Sequence, residues 1–197
     1  MGNAKSCTLA EDAITGFEAD TVFSSDEIMA LWSHFIGISG GDAGAAASIS
    51  RGQFGALMLF RDSAILDRIF RVFDADEDGK ISFSEYLSCL SVISSKASQA
   101  EKLKLSFQIY DFDGDNRIGV DDLTSALAAT LREHDIIIER PEIDEIVKDT
   151  MEEVCPEEEG MISIQEYEML VAQRPQMLSR LTLNISGIIL EHAVEAN

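Results

Sequence analysis

The sequence predicts an all-α protein made of four helix–loop–helix units arranged as two lobes, with an amphipathic helix at the C-terminus. Three observations predict it. One acidic loop, DADEDGKISFSE (Asp74 to Glu85), lies between two apolar stripes of helical spacing. Relatives of that loop recur at Asp111 to Asp122 and at Cys155 to Glu166. Isoleucines 49, 81, 118 and 162 then fall at one shared loop position, which is the mark of a repeated unit that buries its apolar face against a neighbour.

Composition narrows the function. A chain of 197 residues with 46% hydrophobic content has enough apolar surface for one substantial core or two small ones. Its 36 acidic against 15 basic residues leave a formal charge of -21, which disfavours nucleic acid and favours cations or basic partners. Cys7, Cys89 and Cys155 are scattered and show no CxxC pair, so reduced thiols are expected. No apolar run approaches the roughly 20 residues of a spanning helix. The expected organisation is an N-terminal segment 1–24, a pair of units over 25–93, a linker 94–100, a second pair over 101–172 and a tail over 173–197.

The opening MGNAKSC fits N-myristoylation at Gly2. One acyl chain holds a membrane only marginally, and up to residue 50 the only basic residue is Lys5, so no polybasic patch supplies the second signal. Cys7 is either that signal, as a palmitoyl site, or an unmodified thiol. The expected location is peripheral, lipid-anchored on the cytoplasmic face of a membrane.

The first unit has an entry stripe of Ile28, Leu31, Trp32 and Phe35 and an exit helix beginning at Phe54, Leu57 and Met58. Its loop carries only Asp42, with Gln53 where a final acid belongs, so a structural role is expected. The second unit matches the EF-hand pattern D-x-[DN]-x-[DN]-G-x5-E at every defined position. Asp74, Asp76 and Asp78 are candidate ligands, with the Lys80 carbonyl, the Ser82 hydroxyl or a water, and Glu85 through both oxygens. A hard cation, Ca2+, suits this all-oxygen set, whereas Zn2+ would want Cys or His.

The third loop offers Asp111, Asp113, Asp115, the Arg117 carbonyl and Asp122. Asn116 replaces the turn glycine and tolerates positive φ. Asp122 replaces the final glutamate, which weakens discrimination against Mg2+. In the fourth loop Glu157, Glu159 and Glu166 stand at ligand positions, but Cys155 occupies the first, where a thiol is a poor calcium ligand. This hand is either a weak site or a structural partner of the third. Two Ca2+ sites are therefore expected, with Mg2+ an alternative at Asp111 to Asp122.

With SFQIYDFD before the third loop, IVKDTMEEV before the fourth and RPQMLSRLTLNISGI after it, the chain resembles the calcineurin B group of EF-hand proteins, most closely the calcineurin B-like sensors. The resemblance implies a calcium sensor whose lobes hold a helix of a Ser/Thr kinase and recruit it to membranes. The alternatives are a regulatory subunit of a Ser/Thr phosphatase and a calcium buffer. A C-terminal phosphorylation motif of the calcineurin B-like proteins is missing from LEHAVEAN. Leu178, Leu181, Ile185, Ile188 and Ile189 make the tail apolar on one side, so it either completes the second lobe or plugs its groove. His34, His134 and His192 are isolated, and no catalytic constellation is expected.

Overall fold

The computed structural model describes residues 9–40, 47–58, 63–154, 156–158 and 160–173. Gly2, Cys7, Asp42, Cys155, Glu159 and the tail beyond Gln173 lie outside the described residues. The described helices are α1 (Glu11–Asp20), α2 (Ser25–Ser39), α3 (Arg51–Met58), α4 (Ser63–Phe73), α5 (Phe83–Ile93), α6 (Gln99–Tyr110), α7 (Val120–Glu133), α8 (Arg140–Val154) and α9 (Ile164–Gln173). Between them lie four short strands, β1 (Ser48–Ser50), β2 (Lys80–Ser82), β3 (Ile118–Gly119) and β4 (Met161–Ile162). The architecture is the all-α EF-hand fold. None of the described helices is long and apolar enough to cross a membrane.

Local chemistry explains where the helices begin. Ser24 with Glu27, Ser82 with Glu85, and Ser98 with Glu101 form capping boxes at α2, α5 and α6, each pairing off backbone N–H groups that a helix start leaves unbonded. Gly40, at φ 93°, ends α2 in the left-handed conformation.

The described residues divide into two compact units, one holding residues up to Met58 together with Phe73–Ala97, the other holding 63–72 together with residues from Ser98 onward. The chain passes from the first unit to the second between Ala97 and Ser98. Most of α4, which the sequence reading placed in the first lobe, clusters with the second unit. The stretch 1–24 contains α1, which packs on α2 and sets Phe17 edge-on against Phe83 at 5.4 Å.

In the first unit β1 and β2 pair antiparallel with Ile49 opposite Ile81, and both side chains are fully buried. Around them Phe35 meets Phe83 at 5.3 Å and Phe54 meets Phe73 at 5.0 Å. In the second unit β3 and β4 pair with Ile118 opposite Ile162. Those two isoleucines pack with Phe107, Met151, Tyr167 and Val171. Burying each such side chain contributes roughly 1.5–3 kcal/mol.

Tyr86 and Tyr167 each follow the last residue of a loop, and they predict opposite outcomes. The Tyr167 hydroxyl bonds the hydroxyl of Ser106, which is buried. Among the described residues the buried Tyr86 hydroxyl has no hydrogen-bond partner. Tyr167→Phe should cost about 1–3 kcal/mol in urea unfolding, whereas Tyr86→Phe should be neutral or stabilising. Equal losses at both positions would contradict this account.

Candidate metal centres

The second loop joins α4 to α5, and its backbone is bent around its own acids. Asp74 Oδ1 accepts from the Asp78 N–H at 3.0 Å and Oδ2 from Gly79 at 2.9 Å. Asp76 accepts from Asp78, and Asp78 from Lys80. These bonds aim one oxygen each of Asp74, Asp76 and Asp78 to within 4.8 Å of one another. The third loop, between α6 and α7, repeats the arrangement. Asp111 accepts from Gly114 at 2.7 Å and Asn116 at 3.1 Å, Asp113 from Asp115, and Asp115 from Arg117. Asp111, Asp113 and Asp115 converge within the same limit.

Two positions in each loop take left-handed backbone. In the second loop they are Glu77 at φ 59° and Gly79 at 81°; in the third they are Gly114 at 83° and Asn116 at 67°. Glycine has thus moved from one position to the other, and Asn116 adopts the positive φ expected of it.

The last acid of each loop closes it. Glu85 Oε1 accepts from the N–H groups of Ala75 and Asp76, and Oε2 from the Ser82 N–H and hydroxyl. Burial opposes its ionisation, yet the Ser82 hydroxyl and these N–H groups hold its pKa below the ordinary carboxylate value. Ser82, a candidate ligand, is thereby the N-cap of α5. Asp122 does the same work from a shorter side chain, accepting from Phe112 and Asp113 on Oδ1 and from Gly119 on Oδ2. Gly119 sits in close quarters: a Cβ there would lie 3.2 Å from Met161 Sδ and 3.4 Å from Asp122 Oδ2. Sequence reasoning passed over Gly119, although a small residue beside a shortened acid is the signal that marks it.

In the fourth loop Glu166 accepts from Glu157 at 2.6 Å and from the Ser163 N–H and hydroxyl, which lower its pKa. Glu157 is exposed and does not join any three-acid cluster among the described residues. In the first hand Gln53 caps Ser50 through Oε1, but its Nε2 donates to the Ile38 carbonyl at 3.0 Å. That amide donor ties the first turn of α3 to the end of α2. The Arg117 side chain pairs with Glu158 at 3.2 Å, tying the third loop to the fourth. Cys89 is no nucleophile, since burial and the Glu85 carboxylate push its thiol up to about 12.

Three carboxylates held this close repel one another, and Asp74 and Asp111 are almost fully buried. Burial, opposed by the Gly114 and Asn116 N–H groups, raises the Asp111 pKa. A divalent cation that prefers oxygen offsets such a cluster, and this donor set fits Ca2+. Asp74, Asp76, Asp78 and Glu85 would hold one ion, and Asp111, Asp113, Asp115 and Asp122 another.

Glu85→Gln leaves one acceptor oxygen where two served four donors. It should remove one ion from the native mass spectrum and lower metal-free stability by about 1–2 kcal/mol. Full ion occupancy in that variant would contradict the assignment of Glu85.

The EF-hand domain pair family matches residues 100–171, and the EF hand domain family matches residues 65–93. The calcineurin B protein of Schizosaccharomyces pombe is 31% identical over 87% of this chain and 92% of its own length. That of Candida glabrata is 30% identical over 85% and 91%. Calcineurin B-like protein 5 of Arabidopsis thaliana is 30% identical over 59% of this chain and 58% of its own. The chain belongs to the calcineurin B group of EF-hand proteins and is a calcium-binding regulatory protein of that group.

Proposed function

We propose that the chain holds two Ca2+ ions, in its second and third hands, and uses them to control its grip on an amphipathic helix of a catalytic partner. One observation carries this reading. In the second unit α6, α7 and α8 enclose an apolar groove of about 300 Å³, lined by Tyr110, Leu123, Leu127, Ile146 and Val147 among others. Tyr110 ends α6 and Leu123 sits in the first turn of α7, so both flank the third loop directly. A cation drawn into that loop acts on two walls of the groove at once. Such a groove is what a helix with anchors at i, i+3 and i+4 requires. A calcium buffer has no use for it.

The motifs around the third and fourth loops favour a Ser/Thr kinase as the partner. The likeness to calcineurin B proteins along nearly their whole length favours a phosphatase catalytic subunit, and it involves more of the chain. We therefore place the phosphatase partner first and the kinase second. The third hand, with Asp122 in last place, also takes Mg2+ at rest. Ile146 lines the groove and is 44% exposed, so Ile146→Glu should leave the helical circular dichroism unchanged. It should weaken calcium-dependent binding of peptides from either partner class at least tenfold by fluorescence anisotropy. Equal affinity with and without calcium would reject the regulatory reading, and the tighter peptide class identifies the partner.

Membrane attachment through Gly2, with Cys7 as the second acyl site, completes the proposal. It is supported by the opening motif and by the need for two signals. Gly2→Ala should move the protein into the soluble fraction of a cell lysate, and unchanged partition would remove this part.

A further inference from the structure

Arg68 lies on α4, outside every loop, yet its guanidinium reaches the third hand. Nε and Nη2 both donate to the backbone carbonyl of Gln108, in the last turn of α6, with Nε at 2.7 Å. That carbonyl has lost its regular helical donor. The N–H four residues on, at Phe112, is taken by Asp122 Oδ1. Arg68 thus caps α6 at the point where the loop's closing acid has opened it. Nη1 comes within 3.9 Å of where a Cβ on Gly114 would stand, so the group lies against the loop itself. Burial lowers the guanidinium pKa, and among the charges around it Asp111 opposes this most, followed by Asp122 and Asp113. Arg68 stays charged.

We propose that Arg68 is an affinity-setting residue of the third hand, a built-in cation that stabilises the metal-free loop and competes with the divalent ion for its carboxylates. The inference rests on the reading of Asp111 to Asp122 as a metal site. Its logic is linkage: a charge that stabilises Asp111, Asp113 and Asp122 without metal loses that advantage, and becomes repulsive, once a doubly charged ion arrives. The acids that act on Arg68 all belong to the third hand, so that is where the effect falls.

The test uses the full chain and Ca2+ alone. Asp122→Asn first locates the third-hand ion by native mass spectrometry and its binding step by calorimetry. Arg68→Gln should tighten that step about three- to ten-fold at low ionic strength, an advantage that shrinks in high salt. It should also lower the metal-free Tm while the calcium-loaded Tm falls less. Arg68→Lys, which keeps the charge and loses the fork, should stay within about twofold of the parent. No ion lost from Asp122→Asn overturns the metal reading and the inference together. An ion lost there, with affinity unchanged or weakened in Arg68→Gln, overturns the inference alone. Equal tightening in Arg68→Lys and Arg68→Gln would assign the effect to the cap and overturn the role of charge.

Discussion

The two loops depend on a carboxylate at the first turn of each exit helix. Glu85 and Asp122 reach back across their loops and accept N–H groups from both its start and its end. The same oxygens are those that a calcium ion takes for itself. A cation held there would compete with these N–H donors for one carboxylate, at the start of the exit helix. The helix that Asp122 caps in the third hand, α7, also forms a wall of the apolar groove. One side chain, Asp122, thus joins the third loop to the helix that walls the groove.

Charge sets the other constraint. With 36 acids against 15 bases, the chain concentrates negative charge where the loops fold it inward. Backbone N–H groups supply most of the compensation in the metal-free loops, since each loop aspartate accepts at least one of them. That is weaker than a full cation but fixed in direction, so the oxygens remain oriented toward a common point. The third loop adds the guanidinium of Arg68, and the fourth is tied to it by Arg117 with Glu158. The loops with the strongest acid clusters are thus preorganised, and the energy of bringing acids together is spent during folding.

Much of this was legible in the sequence because the loops are periodic and chemically constrained. The stripe Ile28, Leu31, Trp32, Phe35 and the stripe Leu66, Ile69, Phe70, Phe73 are buried as their spacing required. The isoleucine register picked out the residues that face each other across both ladders, because the residue at that shared loop position is buried in each pair; the strands themselves, two or three residues long, left no pattern to read. Less was legible where a role depends on a contact distant in sequence. Helix α1 has no buried residue of its own, so it left no apolar stripe to read. Arg68 resembles an ordinary surface residue until α4 is placed beside α6. Gln53 showed only that an acid was missing, not that its amide would bond the end of α2.

The two incomplete hands follow from the same physics. The ladder that joins Ile49 to Ile81 is made of backbone pairs and two fully buried side chains, none of them a metal ligand. Gln53 ties the start of α3 to the end of α2 by donating to the Ile38 carbonyl, a neutral contact. Glu166 closes the fourth loop through the Glu157 N–H and the Ser163 N–H and hydroxyl, while the ladder from Ile118 to Ile162 joins the third loop to the fourth. A degraded hand can lose its ligands freely but not its isoleucine or the residue that caps its exit helix. In this arrangement the first and fourth hands each supply the strand that completes a ladder, through backbone pairs and buried isoleucines that are not metal ligands.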